Sequence, residues 1–132
     1  MIGAPRLLSH LDVRVRDRQR AIGFYDAILS TLGAVRDDGA TFTTWQIPPA
    51  DAADDWEADE WFGITEDPNV SPGPTRIAFV APSRGTVDAI ATILPAVGAL
   101  EIEGPEEAYG PRYYAVFFSD PDGNRLEICY IG

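Results

Sequence analysis

The sequence predicts an α+β fold made of two paired βαβββ modules, whose mixed sheets curl around a central cup. Three observations lead to this prediction. The order strand, helix, Gly-Ala and three strands occurs twice along the chain. His10-Leu11-Asp12-Val13 aligns with Arg76-Ile77-Ala78-Phe79, and Gly33-Ala34 aligns with Gly98-Ala99. A single module of this kind leaves one sheet face uncovered, so two modules are expected to pair.

The first module is predicted to span residues 5–66. Its opening strand shows apolar residues alternating with polar ones, which is typical of a sheet with one covered face. Asp17 is a suitable N-cap for the helix that follows, and Gly33 is a suitable residue to end it. The predicted strands of this module are Leu7–Arg16, Ala34–Arg36, Thr41–Ile47 and Trp61–Thr65.

An acidic segment, residues 50–60, connects the last two strands of this module. Runs of charge usually belong to solvated loops that keep a protein soluble. The alternative is a mobile lid that carries Trp56 over the cup. The sequence alone does not choose between these two interpretations.

A linker over residues 67–74 leads to the second module, residues 75–132. Ser83 is predicted to cap its helix, and Gly98 follows the helical stripe. Pro95 should end or kink this helix early, because proline lacks the backbone donor that a helix interior needs. The predicted strands are Thr75–Ala81, Ala99–Glu103, Tyr113–Phe118 and Leu126–Tyr130, with Asp120–Asn124 as a turn.

Length and composition limit the classes of protein that fit. The 132 residues are expected to form a single domain, 1–132, with a sizeable core. The net charge of -11 argues against binding to nucleic acid or to an acidic membrane surface. The start of the chain lacks an apolar signal segment, and Cys129 is the only cysteine. We therefore expect a cytoplasmic protein without an internal disulfide.

The basic residues restrict the possible chemistry. All ten are arginine, so neither a Schiff-base lysine nor a phosphate-loop lysine is present. His10 is the only histidine, and one chain therefore cannot supply the two histidines of a facial-triad iron site.

Three segments carry a resemblance to a known family. Arg76–Arg84, Tyr113–Phe117 and Asp120–Glu127, together with the doubled order of elements, resemble the vicinal-oxygen-chelate superfamily. Within it, they are most similar to the glyoxalase/bleomycin-resistance branch. The resemblance covers nearly the whole chain and implies the paired-module fold. It does not by itself imply an activity, because this fold supports several reactions and several binding proteins.

The resemblance implies a divalent metal held by the first, fifth and last strands. His10 matches the first ligand position and Glu127 the last, but Arg76 stands at the fifth-strand position. A guanidinium is cationic and has no lone pair to donate to a metal. We therefore expect no metal or other cofactor, and instead a charge-assisted pair between Arg76 and Glu127. A divalent metal remains possible, with His10 and Glu127 as its ligands.

Two functions are compatible with these residues. The first is the binding of a small molecule in the cup, with Arg76, Arg14, Trp45 and Tyr113 as the contacting residues. The second is a divergent lyase, isomerase or dioxygenase-type enzyme, in which His10 and Glu127 act as metal ligands or as acid and base. The sequence leaves open whether the protein is an enzyme.

The expected partners are a small-molecule ligand and a second copy of the chain. The resemblance implies a homodimer, with cups formed either within one chain or across two. A structural or regulatory dimer with a vestigial cup is a more distant alternative.

Overall fold

Over residues 5–53 and 56–132, which the computed structural model describes, eight strands and two helices follow one another in the predicted order. Asp54 and Asp55 of the acidic segment lie outside this description. The elements are β1 (His10–Val15), α1 (Arg18–Thr31), β2 (Val35–Asp38), β3 (Phe42–Gln46), β4 (Trp61–Glu66), β5 (Arg76–Val80), α2 (Arg84–Ile93), β6 (Leu100–Glu107), β7 (Tyr113–Ser119) and β8 (Arg125–Ile131).

The strands form two four-stranded sheets of the same design. Sheet one has the order β1-β4-β3-β2, and sheet two has the order β5-β8-β7-β6. The first pair in each order is parallel and the others are antiparallel, so both sheets are mixed. The prediction of an α+β fold with two βαβββ modules is confirmed. We call the β1–β4 unit with α1 module one, and the β5–β8 unit with α2 module two.

The two sheets do not close into one barrel. Among the described residues, no strand of sheet one is hydrogen bonded to a strand of sheet two. The expected curling around a central cup is therefore not completed by backbone pairing within this chain.

Local signals placed both helices correctly. The Asp17 side chain accepts a hydrogen bond from the backbone of Arg20, and the Ser83 hydroxyl accepts one from Thr86. Helix α2 ends at Ile93, two residues before Pro95, as the missing proline donor requires.

Strand boundaries differ more from the predictions. Strand β1 starts at His10, three residues later than expected, and β6 runs on to Glu107 through a stretch predicted to be a loop. The pairing of β6 with β7 shows register shifts between Leu100 and Glu106. These irregularities interrupt the alternation by which the sequence could have revealed a longer strand.

Each sheet has one face covered by helices. Val15 and Ile64 of sheet one, and Leu126 and Ile128 of sheet two, are fully buried in one continuous core with both helices. The opposite faces, which we call open faces, carry the alternate residues. On the edge strands β1 and β5, these alternate residues are exposed. The open faces therefore present side chains that a ligand could contact.

The turn between β7 and β8 joins the two modules. Asp120 is buried and accepts a hydrogen bond from the Tyr25 hydroxyl of α1 at 2.6 Å. Asp122 is also buried and accepts hydrogen bonds from the Arg16 backbone at 2.9 Å and from the Arg20 guanidinium at 2.6 Å. We call this turn, residues 120–124, the joint.

Candidate functional site

The open face of sheet two changes character along its strands. Arg76 and Arg125 are neighbours on the parallel strands β5 and β8, and Ser119 of β7 lies opposite Arg125. The next row contains Ala78, Glu127 and Phe117 in register. Ala115 and Cys129 form a third row with Val80. The face therefore passes from a cationic end, through an acid beside an aromatic ring, to an apolar end.

Glu127 is the buried carboxylate of this face, with only 4% of its surface exposed. Its Oε2 accepts a hydrogen bond from the Tyr113 hydroxyl, which reaches it from the neighbouring strand β7. Partial burial raises the pKa of the Tyr113 phenol well above its ordinary value, and the adjacent Cys129 thiol and Glu127 carboxylate raise it further. Tyr113 therefore stays protonated near neutral pH and continues to donate to Glu127.

Arg76 does not make the ion pair with Glu127 that the sequence predicted. Its Nη1 donates to the backbone carbonyl of Leu126 at 2.7 Å, and its Cζ lies 5.2 Å from the centroid of the Phe117 ring. The register explains the difference, because Arg76 stands beside Arg125, whereas Glu127 stands beside Ala78. Tyr113 satisfies Glu127, and Arg76 makes no salt bridge to an acid of the described residues.

Three aromatic rings, those of Tyr109, Tyr113 and Phe117, lie close to Arg76 and Glu127. Tyr109, in the connection between β6 and β7, packs edge-on against Tyr113 with ring centroids 5.0 Å apart, and against Phe117 at 6.4 Å. Tyr109 is 73% exposed. We call Arg76, Tyr109, Tyr113, Phe117 and Glu127 the sheet-two cluster.

His10 lies on the open face of sheet one, in a different environment. Its ring stacks on Trp61 of the neighbouring strand, with centroids 4.2 Å apart and planes 6° from parallel. The two residues line a cavity of about 530 Å³ that also contacts Ala78 and Val80 of β5. Acidic residues of the segment before β4 form part of its wall, namely Glu57, Asp59 and Glu60.

Trp45 and Arg14 do not join the sheet-two cluster. Trp45 is 2% exposed on the helix-covered face of sheet one, where its indole donates to Asp26 at 3.0 Å. Alternation in β3 shows which residues share a face, but it does not show which face the helices cover. Thr43 and Thr44 lie on opposite faces, so they do not distinguish the covered face either. Trp45 also lines the 530 Å³ cavity. Arg14 is on the open face of sheet one and pairs with Asp12 at 3.4 Å.

The residues present do not fit the divalent metal that the resemblance implied. Within residues 5–53 and 56–132, no group of three or more His, Cys, Asp or Glu side chains is arranged to hold a metal ion. His10 is stacked on Trp61, while Glu127 is engaged by Tyr113. The third position presents a guanidinium, which cannot act as a ligand. We accordingly derive no chemical step through a metal.

Two sets of residues were not singled out from the sequence. Tyr109 and Phe117 belong to the sheet-two cluster, and alternation within β7 could have placed Phe117 on the same face as Tyr113. The long-range role of the joint had no local signal, because a turn motif does not reveal its partners elsewhere in the chain.

None of the helices in the described parts of the chain is long and apolar enough to cross a membrane. A search of the curated proteins gave no significant match.

Several solved structures have the same fold. A glyoxalase/bleomycin resistance protein from Albidiferax ferrireducens T118 is 27% identical with a TM-score of 0.77, covering 95% of this chain and 98% of that chain. The fosfomycin resistance protein FosX from Listeria monocytogenes, complexed with Mn(II) and sulfate ion, is 21% identical with a TM-score of 0.68, covering 100% and 93%. FosX from Mesorhizobium loti is 19% identical with a TM-score of 0.68, covering 100% and 95%. At these last two identities, the likeness extends to the fold alone.

The sequence also matches a family model over residues 7–128, which is nearly its full length. That span contains both helices, seven complete strands and the start of β8. The chain belongs to the Glyoxalase/Bleomycin resistance protein/Dioxygenase superfamily.

Proposed function

We propose that this protein binds a small molecule on the open face of sheet two, without a catalytic divalent metal. The observation that carries the proposal is the position of Arg76. Its cation stands where the resemblance places a metal ligand, and it is held there by the Leu126 carbonyl and the Phe117 ring. A guanidinium held one row away from a buried carboxylate can recognise a ligand by charge and hydrogen bonds.

A second copy of the chain would complete the cup in this proposal. The open faces carry exposed apolar side chains, including Phe42 at 41%, Val80 at 68% and Ile131 at 55%. Such groups on a sheet face favour association, since burying them removes apolar surface from water. A homodimer in which sheet two faces sheet one of the partner would cover them and enclose the ligand.

One observation favours the enzyme as a second candidate. Glu127 is a buried carboxylate with a protonated phenol, Tyr113, bonded to it, and such a pair can transfer a proton to or from a bound substrate. In this version His10 of the cavity acts as a further acid or base. Turnover of a bound molecule, lost in Glu127→Gln, would distinguish this candidate from simple binding.

The metal content and the bound molecule test the proposal together. We expect protein purified from cells grown in medium that contains Mn, Fe, Ni and Zn to hold well below one equivalent of metal per chain after desalting. Native mass spectrometry should show a dimer, and an organic ligand retained by the parent protein should be lost in Arg76→Gln. Arg18→Gln, with the same change of charge in module one, is the matched control and should keep the ligand.

A stoichiometric metal would contradict the proposal. The clearest contradiction would be one equivalent of bound metal in the parent protein and in Glu60→Gln, with none in His10→Ala or in Glu127→Gln. That outcome would place the ligands on the first and last strands despite Arg76.

A further inference from the structure

The cationic end of sheet two lacks the acidic partners that most arginines in this protein have. Arg6, Arg14, Arg16, Arg20, Arg36 and Arg84 each form a salt bridge. Arg76 and Arg125 form none with the described residues, although the chain carries 21 acidic residues. The two cations stand on neighbouring strands, so an anion placed beside them would be attracted to both.

The guanidinium of Arg76 keeps donors for such an anion. Among the described residues, only its Nη1 makes a hydrogen bond, to the Leu126 carbonyl. Its Cζ lies over the Phe117 ring, 5.2 Å from the centroid, so the group is held at this end of the sheet while its other N–H bonds have no partner among the described residues. A planar fork of this kind matches a carboxylate, which accepts two parallel hydrogen bonds.

A cavity extends the cationic end. It has a volume of about 370 Å³ and is lined by Arg125 and Ser119 together with Leu100, Glu101 and the chain at Pro72–Pro74. Arg125 and the Ser119 hydroxyl provide donors on this side, while Glu101 disfavours a second negative charge there.

The neighbouring surface suits an aromatic ring. Tyr109 and Phe117 present ring edges and faces to each other at 6.4 Å, and Tyr109 is largely exposed. Ala78, in the row of Glu127, is exposed, and its short side chain leaves the sheet open beside Phe117 and Glu127. A flat aromatic group can stack there at little cost in conformational entropy.

We propose that the ligand of the sheet-two cluster is a planar aromatic monocarboxylate, with its carboxylate on Arg76 and its ring against Phe117 and Tyr109. This inference rests on the proposed function and names the chemical class of its ligand. Glu127 selects for a single negative charge, because a second carboxylate one row further along the sheet, about 7 Å away, would meet it. Arg125 contributes a longer-range attraction to the anion.

Calorimetric titration with three probes of one ring system tests the ligand class. Naphthoate should bind, whereas neutral naphthamide and a naphthalene dicarboxylate should each bind about tenfold more weakly or worse. Equal affinity for naphthoate and naphthamide would overturn the assignment of a carboxylate.

Substitutions test the residues. Arg76→Gln should reduce naphthoate affinity about tenfold or more, while Arg18→Gln, with the same change of charge in module one, should leave it within about twofold. Tyr109→Ala should lower the affinity for naphthoate and for naphthamide by similar factors. Because Tyr109 is largely exposed, this substitution should not affect folding. Equal losses in Arg76→Gln and Arg18→Gln would show that only net charge matters, which would contradict the proposal.

The two proposals fail in distinguishable ways. If naphthoate does not bind but metal-free protein retains another organic molecule, the ligand class is wrong and the proposed function stands. If the protein instead carries a stoichiometric metal on His10 and Glu127, the proposed function fails first.

Discussion

The two modules share one topology but differ in the connection that precedes their last strand. In module two this connection is the joint, a tight turn whose buried Asp120 and Asp122 accept hydrogen bonds from module one. In module one it is the acidic segment, whose residues Glu57, Asp59 and Glu60 line the larger cavity. The same position in the repeat therefore holds the protein together in one module and shapes a cavity in the other.

The open faces differ in the same way. His10 and Trp61 stand in register in module one, at the place that Arg76 and Arg125 occupy in module two. The helix-covered faces, by contrast, keep apolar residues at matching positions, such as Ile64 and Ile128. The comparison shows that the covered faces determine the topology, while the open faces and connections are free to carry different chemistry.

The largest expected effects come from equivalent positions on the covered faces. Ile64→Ala and Ile128→Ala should each lower the free energy of unfolding by about 2–5 kcal/mol, because both side chains are fully buried and would leave cavities. Denaturant titrations would measure this. Val80→Ala, on the open face, is the control and should change stability little, since Val80 is exposed. A large loss in only one of the two modules would show that the covered faces are not equivalent.

A smaller loss is expected at the joint. Tyr25→Phe should lower the free energy of unfolding by about 1.5–3 kcal/mol, because the buried Asp120 loses a hydrogen-bond donor. Tyr114→Phe removes a hydrogen bond of the same 2.6 Å length, to Asp88 at the surface of module two, and should cost less.

The joint also predicts a pH dependence. Burial, and then the neighbouring Asp120, raise the pKa of the Tyr25 phenol above its ordinary value of about 10. The contribution of Tyr25 to stability is thus complete below about pH 10 and falls as the pH rises towards the pKa of the folded state. Unfolding titrations between about pH 8 and 11 should show a decline that is shallower in Tyr25→Phe. An unchanged slope in that variant would exclude Tyr25 as the cause.

The smallest expected effect tests the open face of sheet one. A Cβ at Gly63 would lie 2.7 Å from Cζ3 of Trp61, so Gly63→Ala should shift this ring and disturb its stacking with His10. We expect a stability change below about 1 kcal/mol, because a partly exposed side chain moves and the backbone does not. The near-UV circular dichroism of tryptophan should change, whereas Gly73→Ala, which has open space around it, should leave it unaltered. An unchanged spectrum in Gly63→Ala would contradict the predicted displacement.

The sequence was sufficient for features that depend on local patterns. Alternation identified most strands, Asp17 and Ser83 marked both helix starts, and Pro95 marked an early helix end. The internal repeat then predicted two modules, because a single module leaves one sheet face uncovered and a second module can cover it.

Features that depend on register or on distant partners could not be obtained in this way. Glu127 stands between Ala78 and Phe117, and its hydrogen-bond donor Tyr113 reaches it along the sheet from a position opposite Ile131. The contact between Asp120 and Tyr25 joins residues 95 positions apart. Nothing in the turn sequence identifies a tyrosine in the first helix as its partner.

The joint has a consequence for the way the chain could be rebuilt. Its hydrogen bonds, together with the shared core, attach the modules at a place remote in sequence from the stretch 67–74 that links them covalently. The linker of residues 67–74 therefore connects the two modules covalently but is not what fixes their relative position. New termini opened at that point, with residues 5 and 132 joined through a flexible spacer, would leave the joint and the shared core intact.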